Sequence, residues 1–448
     1  MLSVCEAEGR AAALVEAARK AGADAADALY IGDASTEVQV RLGALEDVTR
    51  SEGEEIGLRF FVGTRSASVS SSDLSGDALA ALVERAAAMA REAPEDPSAG
   101  LAPADRLYAG GAPDLEADDG ADPSPVAMKA RAIAIEEAAR AVPGVANSEG
   151  ASVSAGRSVI ALATSHGFAR GYTTSGYAGA ASVIAGAGGN MQRDYASHSV
   201  RHYADLDEPE ALGRLAGERT VRRLDPGRVA SGVMPVVFDP RVGGSLIGHL
   251  VGAMTGPGIA RKTSFLLGRE DEAIFGPDVA IIDDPHRPRG LRSKPFDGEG
   301  VATAPRRIVE SGRLTGWLLN SASARQLGLE TSGHATRGIG GAPGAGGTNV
   351  HMEAGRLSPA ELIADIGNGL YVTEMIGHGL NPVTGDYSRG ASGFVIANGE
   401  IAAPVAEITI AGNILGMFRT LVPASDLEHR RSVNVPTLRI EGMMVAGA

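Results

Sequence analysis

The sequence predicts an α+β fold, with two α–β-meander–α units followed by a β-rich C-terminal domain with inserted helices. Three observations carry that expectation. Four segments with apolar residues at helical spacing bracket two blocks of alternating apolar and polar residues, and glycines punctuate both blocks. A Pro/Ala/Gly/Asp-rich stretch divides the first unit from the second, and Asp225-Pro226-Gly227 divides the second from the remainder. The last half of the chain is mostly short strand-like runs broken by tight turns. A length of 448 residues suits two or three domains of this kind.

Residues 6–21 read as an amphipathic helix stopped by Gly22. Strand-like runs follow at 28–32, 37–42, 45–52, 55–62 and 66–72, punctuated by Gly32, Gly43, Gly53 and Gly63, and a helix over 77–91 closes the unit. Residues 94–124 form a linker, partly structured at best. Ser124-Pro125 then starts a helix, with serine as N-cap and proline in the first turn, running to about 142. Runs at 145–154, 158–164, 167–178, 181–185 and 191–204 and a helix over 208–224 repeat the element order of the first unit, without a sequence period. The expected domains are therefore 1–93, 125–225 and 226–448 around the 94–124 linker. In the last, a strand at 233–238 precedes a helix over 241–254, and further helices are expected near 321–326 and 358–367.

Composition excludes several classes of function. A formal charge of −14 disfavours nucleic-acid binding, which needs Lys and Arg to displace counterions from phosphates. Cys5 is the one cysteine, so there is no internal disulfide and no multi-thiolate zinc site. Nothing approaches the apolar length of a membrane span, and the first 21 residues read as a helix and not as a signal peptide; the expected compartment is the cytoplasm.

The most informative stretch spans 371–418. Val372, Ile376, Phe394, Ile396, Ile408 and Ile410 sit in β-rich runs, and Asn398-Gly399 marks a two-residue hairpin. Between two of these runs, Gly385-Asp386-Tyr387-Ser388-Arg389-Gly390 reads as a polar loop, where function concentrates when the flanks are rigid. The plain alternative is a solvated loop held by an Asp386–Arg389 pair.

With its flanks, this run (Asn381-Pro382-Val383-Thr384, then residues 385–394, then Asn398-Gly399-Glu400-Ile401 and residues 404–414) resembles the C-terminal signature of the TldD/PmbA family, and within it the PmbA (TldE) branch. The likeness extends more weakly over nearly the whole chain, including residues 50–61 and 298–328. It implies a bacterial and archaeal peptidase system in which TldD and TldE associate and TldD carries zinc. The TldD branch looks like H-E-x-x-x-H on the helix after strand 233–238. This chain has Gly248-His249-Leu250-Val251-Gly252-Ala253 there, so glycine and alanine stand at the two ligand positions and His249 at the glutamate. A cysteine ligand that the TldD branch carries near its C-terminus also has no counterpart after Cys5.

The resemblance thus implies no zinc on this chain, a TldD-type partner that carries it, and peptide or unfolded polypeptide as substrate. A homodimer remains open where the partner is lacking. Asp386, Tyr387, Ser388 and Arg389 are the candidate binding or interface residues, with Asn349 and His249 beside them. The family is also named for a link to DNA gyrase, which nothing in these residues encodes.

Three other constellations weigh less. His198 and His202 lie four residues apart in a strand-like run, about 13 Å in extended chain and too far to share an ion. The glycine-rich run 338–347 lacks the Gly-Lys-Ser/Thr of a phosphate loop and leads into a strand. Ser392 lacks the G-x-S-x-G elbow. A standalone hydrolase with an unrecognised site, Ser392 being its serine candidate, and a homo-oligomeric peptide-binding module are the competing functions.

Overall fold

A computed structural model describes residues 1–447. The first unit comprises α1 (Val4–Lys20), β1 (Ala25–Arg41), β2 (Ala44–Val62), β3 (Arg65–Ser71) and α2 (Gly76–Glu92). The second comprises α3 (Pro125–Arg140), β4 (Val145–Thr164), β5 (Ala169–Ala185), β6 (Gln192–Val200) and α4 (Pro209–Val221). Helix starts follow local chemistry. Ser3 and Glu6 form a reciprocal capping box on α1, and Ser124 caps α3 with Pro125 in its first turn.

The two units share one six-stranded antiparallel sheet of order β3-β2-β1-β4-β5-β6. The seam is the β1–β4 pair, continuous from Asp27 opposite Thr164 to Val40 opposite Ala151. Alternation along β1 places Tyr30 under α1 and α2 and sends Leu29 and Ile31 to the opposite face, where they meet Phe296 of the C-terminal part. Val38, Val40 and Val153 form a second core under α3 and α4.

These strands are longer and fewer than the sequence suggests, and the reason is physical. Gly32 and Gly53 were expected to break the chain, yet they lie inside β1 and β2, opposite Glu54 and Asp33. A glycine paired on a ladder stays extended. Only Gly43 and Gly63, with φ of +79° and +57°, turn the chain. The runs 145–154 and 158–164 likewise merge into β4, and 167–178 and 181–185 into β5. The linker runs over the C-terminal part and bonds to it: Tyr108 N–H donates to the Gly300 carbonyl and Arg289 N–H to the Leu115 carbonyl, both at 2.8 Å.

The C-terminal part is built on β7 (Gly232–Phe238), α5 (Pro240–Ala253), β8 (Asn368–Ile376), β9 (Asp386–Ala397), β10 (Glu400–Asn413), β11 (Val422–Pro423) and β12 (Leu438–Ala446). Its six-stranded sheet has the order β10-β9-β8-β7-β12-β11, and a further β10–β12 pairing closes it into a barrel. A five-stranded sheet, formed by Arg313–Leu314, Arg306–Glu310, Ile281–Asp283, Val350–Met352 and Val433–Asn434, stands beside it. Leu246, Ile247 and Leu250 of α5 enter the largest core, with Phe238, Leu370, Tyr387 and Ile410. Helices Gly256–Ala260 and Ile414–Thr420 were not foreseen, and the helix expected over 358–367 is only Pro359–Ile363.

Candidate functional site

The polar loop expected at 385–390 is the beginning of a strand. Gly385 turns the chain with φ +78°, and β9 then pairs with β10 from Asp386 opposite Asn413 onward. Strand alternation splits the four candidate residues. Tyr387 points into the core, while Asp386 and Ser388 face solvent. Asp386 accepts from the Thr384 hydroxyl at 2.7 Å and from the Asn413 amide at 3.3 Å, and so braces the turn without an Arg389 partner. Ser388 is held by its backbone, its N–H donating to the Gly379 carbonyl at 2.7 Å. A Cβ on Gly379 would fall 1.6 Å from the Ser388 carbonyl oxygen, so this approach admits only glycine.

Tyr387 and Arg389 meet His249 across the space between β9 and α5. The His249 and Tyr387 rings stand edge to face at 6.1 Å. The Tyr387 hydroxyl lies 3.1 Å from Met375 Sδ, and burial pushes it up to about 12 against the opposing pull of Arg389. Burial holds the His249 imidazole below its ordinary value, and the positive charges of Arg389 and His378 add to that. His249 Nε2 and Arg389 Nε are both buried without a hydrogen-bond partner. This is a half-buried cationic pocket with two polar atoms left to satisfy.

Asn349 does not join it. The side chain is buried and fully engaged, donating to the Asp284 carbonyl at 2.8 Å and the Ser293 hydroxyl at 2.9 Å and accepting from Arg292 N–H at 2.9 Å. It pins the loop 284–293. The two histidines of β6 and its end also go separate ways: His198 Nδ1 bonds Asp207 N–H at 3.2 Å, and His202 Nε2 bonds the Glu116 carbonyl at 2.9 Å. Ser392 is buried inside β9, on a strand and not at a strand-to-helix turn. The glycine-rich run packs on the N-terminal sheet, where the Ile339 carbonyl oxygen would lie 1.8 Å from a Cβ on Gly57.

Two largely buried constellations have no local sequence signal, because each joins segments that lie far apart in the chain. Asp27 of β1, Arg59 of β2 and Arg337 converge between the sheet and the C-terminal part, each side chain at most 7% exposed. Burial raises the Asp27 carboxyl, but Arg337 and Arg59 more than offset this and hold it below the usual range. The second is a chain of contacts from Ser332 Oγ to His334 Nδ1 at 2.9 Å, and from His334 Nε2 to Asp283 Oδ2 at 3.1 Å. His334 and Asp283 are 3% and 0% exposed, and Ser332 Oγ also accepts from Leu319 N–H at 2.8 Å. Those contacts tie the 332–334 segment to Leu319 and to the end of the strand Ile281–Asp283.

Comparison with known proteins covers nearly the whole chain. Family models of the PmbA/TldA metallopeptidases match as domain 1 over residues 26–90, the central domain over 118–224 and the C-terminal domain over 231–447. The chain is 40% identical to the metalloprotease PmbA of Escherichia coli O157:H7 over 413 residues, 92% of this chain and 89% of that protein. It is 36% identical to the metalloprotease PmbA homolog of Haemophilus influenzae, over 97% of this chain and 94% of that one. Among solved structures, a putative modulator of DNA gyrase from Bacteroides thetaiotaomicron superposes with a TM-score of 0.91 at 27% identity, covering 99% of both chains. TldE from Thermococcus kodakarensis shares the fold, with a TM-score of 0.87 at 20% identity over 97% of this chain and 99% of that one. Full-length similarity at these identities, together with a fold of the TldE type, establishes that the chain belongs to the TldD/PmbA metallopeptidase family and to its PmbA branch.

Proposed function

We propose that this chain is the zinc-less subunit of a heterodimeric metallopeptidase, paired with a TldD-type subunit that carries the zinc and the hydrolytic chemistry. The complex would cleave peptides and unfolded polypeptides in the cytoplasm. One observation carries the reading, namely the character of the pocket on α5. Zinc needs deprotonated or neutral donors at about 2.0–2.3 Å. Gly248 and Ala253 offer none, and the single imidazole there faces the Arg389 guanidinium and His378. Among the described residues, no group of three or more His, Cys, Asp or Glu side chains could hold a metal ion. Zinc does not fit these residues. The pocket instead presents positive charge and unpaired donors, which suits a peptide carbonyl or a partner's carboxylate.

The contacts Ser332–His334–Asp283 favour a standalone serine hydrolase as second reading. Against it, His334 and Asp283 are buried, and the half-buried Ser332 hydroxyl is already engaged by Leu319 N–H. The test is peptidase activity on a small peptide set for this chain alone, for a TldD-type partner alone and for the mixture. Activity that requires the mixture supports the proposal. Activity of this chain alone contradicts it, and its response to a chelator and to Ser332→Ala would then separate a metal site from a serine site.

A further inference from the structure

A cleft of about 230 Å³ lies where the end of β6 meets residues 287–291 and 429–431, and it shares no residue with the His249 pocket. Five arginines line it, Arg201, Arg287, Arg289, Arg430 and Arg431, against one carboxylate, Asp205. His198 and His429 complete its titratable lining. The chain as a whole carries a formal charge of −14, so this local excess of positive charge runs against its composition.

The five guanidinium groups differ in what they already hold. Arg289 is paired with Glu116 at 2.7 Å and Asp205 at 3.0 Å, and Arg430 is paired with Asp207. Arg201 is half-buried and engaged by backbone. Its Nη1 donates to the Ser175 carbonyl at 2.7 Å and its Nε to the Gly290 carbonyl at 3.4 Å, with Nη2 on the Leu291 carbonyl. Arg431 is exposed and likewise bonds a carbonyl, that of Arg241. Neither charge has a carboxylate partner. Arg287 is the open one. Among the described residues its half-buried side chain makes no hydrogen bond and no ion pair, and none of its guanidinium nitrogens is sealed from solvent. Asp284 attracts it from beyond ion-pair distance. Its backbone, by contrast, is fixed, the carbonyl accepting from the Ser293 hydroxyl at 2.5 Å and from Gly290 N–H at 3.0 Å. His429 is exposed, its ring edge to face with His351 at 4.9 Å. Partial burial, then the Arg287 charge, hold its imidazole below the ordinary value. A carboxylate or phosphate matches the guanidinium fork in spacing and charge, and a loop already held in place spares the ordering cost of binding one. The volume is below the ~300–1,000 Å³ of drug-sized sites, which limits the occupant to one small anionic group.

We propose that this cleft binds a compact, doubly charged oxyanion, seated on the Arg287 guanidinium with Arg201 and Arg431 as further positive charges. Two sources share that chemistry, a free small anion and the acidic last residue of a peptide, whose side-chain and terminal carboxylates lie together. The anion site stands without the peptidase reading; only its assignment to a peptide end rests on it.

Calorimetric titration of the full chain, without partner, tests this with succinate, inorganic phosphate and acetyl-Ala-Ala-Asp, against sodium chloride at matched ionic strength. At least one of the three anions binds saturably, and chloride does not. Binding of the tripeptide at least ten-fold more tightly than the other two assigns the site to peptide ends; any other order assigns it to free anions. Bound anion also raises the midpoint of the His429 ring resonance, because negative charge beside an imidazole favours its protonated form. Arg287→Gln breaks no bond of the fold, so the melting transition is retained while anion affinity falls at least ten-fold. Lys20→Gln, an equal change of net charge at the exposed end of α1 and outside the cleft, leaves the affinity unchanged. No saturable binding of any of the three overturns the proposal, as does a response that chloride reproduces. Equal affinities in Arg287→Gln and Lys20→Gln, or a His429 midpoint that saturating anion leaves unmoved, also overturn it. Because hydrolysis is not read, failure here leaves the subunit assignment to its own test.

Discussion

At the scale of single residues, several charges sit where water is scarce. Asp27 is the clearest, buried between Arg59 and Arg337. Asp27→Asn leaves two guanidinium groups without their carboxylate, and loss of one member of a buried ion pair costs about 3–5 kcal/mol; chemical denaturation should show a loss of that order. The pH dependence follows with its sign. The folded Asp27 carboxyl lies below its unfolded value, so its contribution is present above pH ~4 and is lost as pH falls through the lower folded value. Asp297 runs the other way. Burial, and then Glu299, raise it to about 6, so the folded state holds the extra proton. Its contribution is present below the unfolded value and is lost as pH rises through about 6. Unfolding free energies from pH 4 to 7 should show that decline shrink in Asp297→Asn. His429 gives a spectroscopic check. Partial burial, then Arg287 and His351, hold this surface imidazole below its ordinary value, so its resonance should titrate below the usual histidine midpoint and move up with added salt. A midpoint at the ordinary histidine value would contradict the partial burial of His429 beside the positive charge of Arg287.

At the scale of elements, the sequence revealed more of the helices than of the strands. The capped starts at Ser3 and Ser124 were legible because capping is local chemistry. Strand lengths were not, because a glycine such as Gly32 reads alike whether it turns the chain or is paired on both sides, and only the partner strand decides. The same holds for the 385–390 run, which polar composition marks as a loop and pairing with β10 makes a strand. Tyr387, Arg389 and His249 lie together between β9 and α5, whereas Asn349 sits apart from them because its bonds run to residues 284–293. The cluster of Asp27, Arg59 and Arg337 could not be read at all, since its members come from three distant segments. Docking of the glycine-rich run on β2 makes a prediction at this scale. Gly57→Val sets a side chain against the Ile339 carbonyl and should destabilise the chain by about 1–3 kcal/mol, read as a lowered denaturation midpoint. An unchanged midpoint would mean that the run is not seated there.

At the scale of the whole molecule, a single sheet joins the first two units, and the C-terminal barrel carries α5, on which Gly248 and Ala253 offer no metal donor and His249 stands between them. Such a scaffold suits a subunit that shapes a shared chamber and leaves bond cleavage to a partner. Arg389→Ala should then leave the isolated fold intact, since its Nε bonds nothing, and weaken assembly or peptide turnover of the mixture several-fold. Size-exclusion chromatography and initial rates would check the two effects. The most direct measurement is zinc content by elemental analysis on the purified complex and, after dissociation, on each subunit. About one zinc per heterodimer is expected, all of it retained by the TldD-type subunit and none by this chain. Stoichiometric zinc on this chain, lost on chelation and restored on reloading, would contradict it.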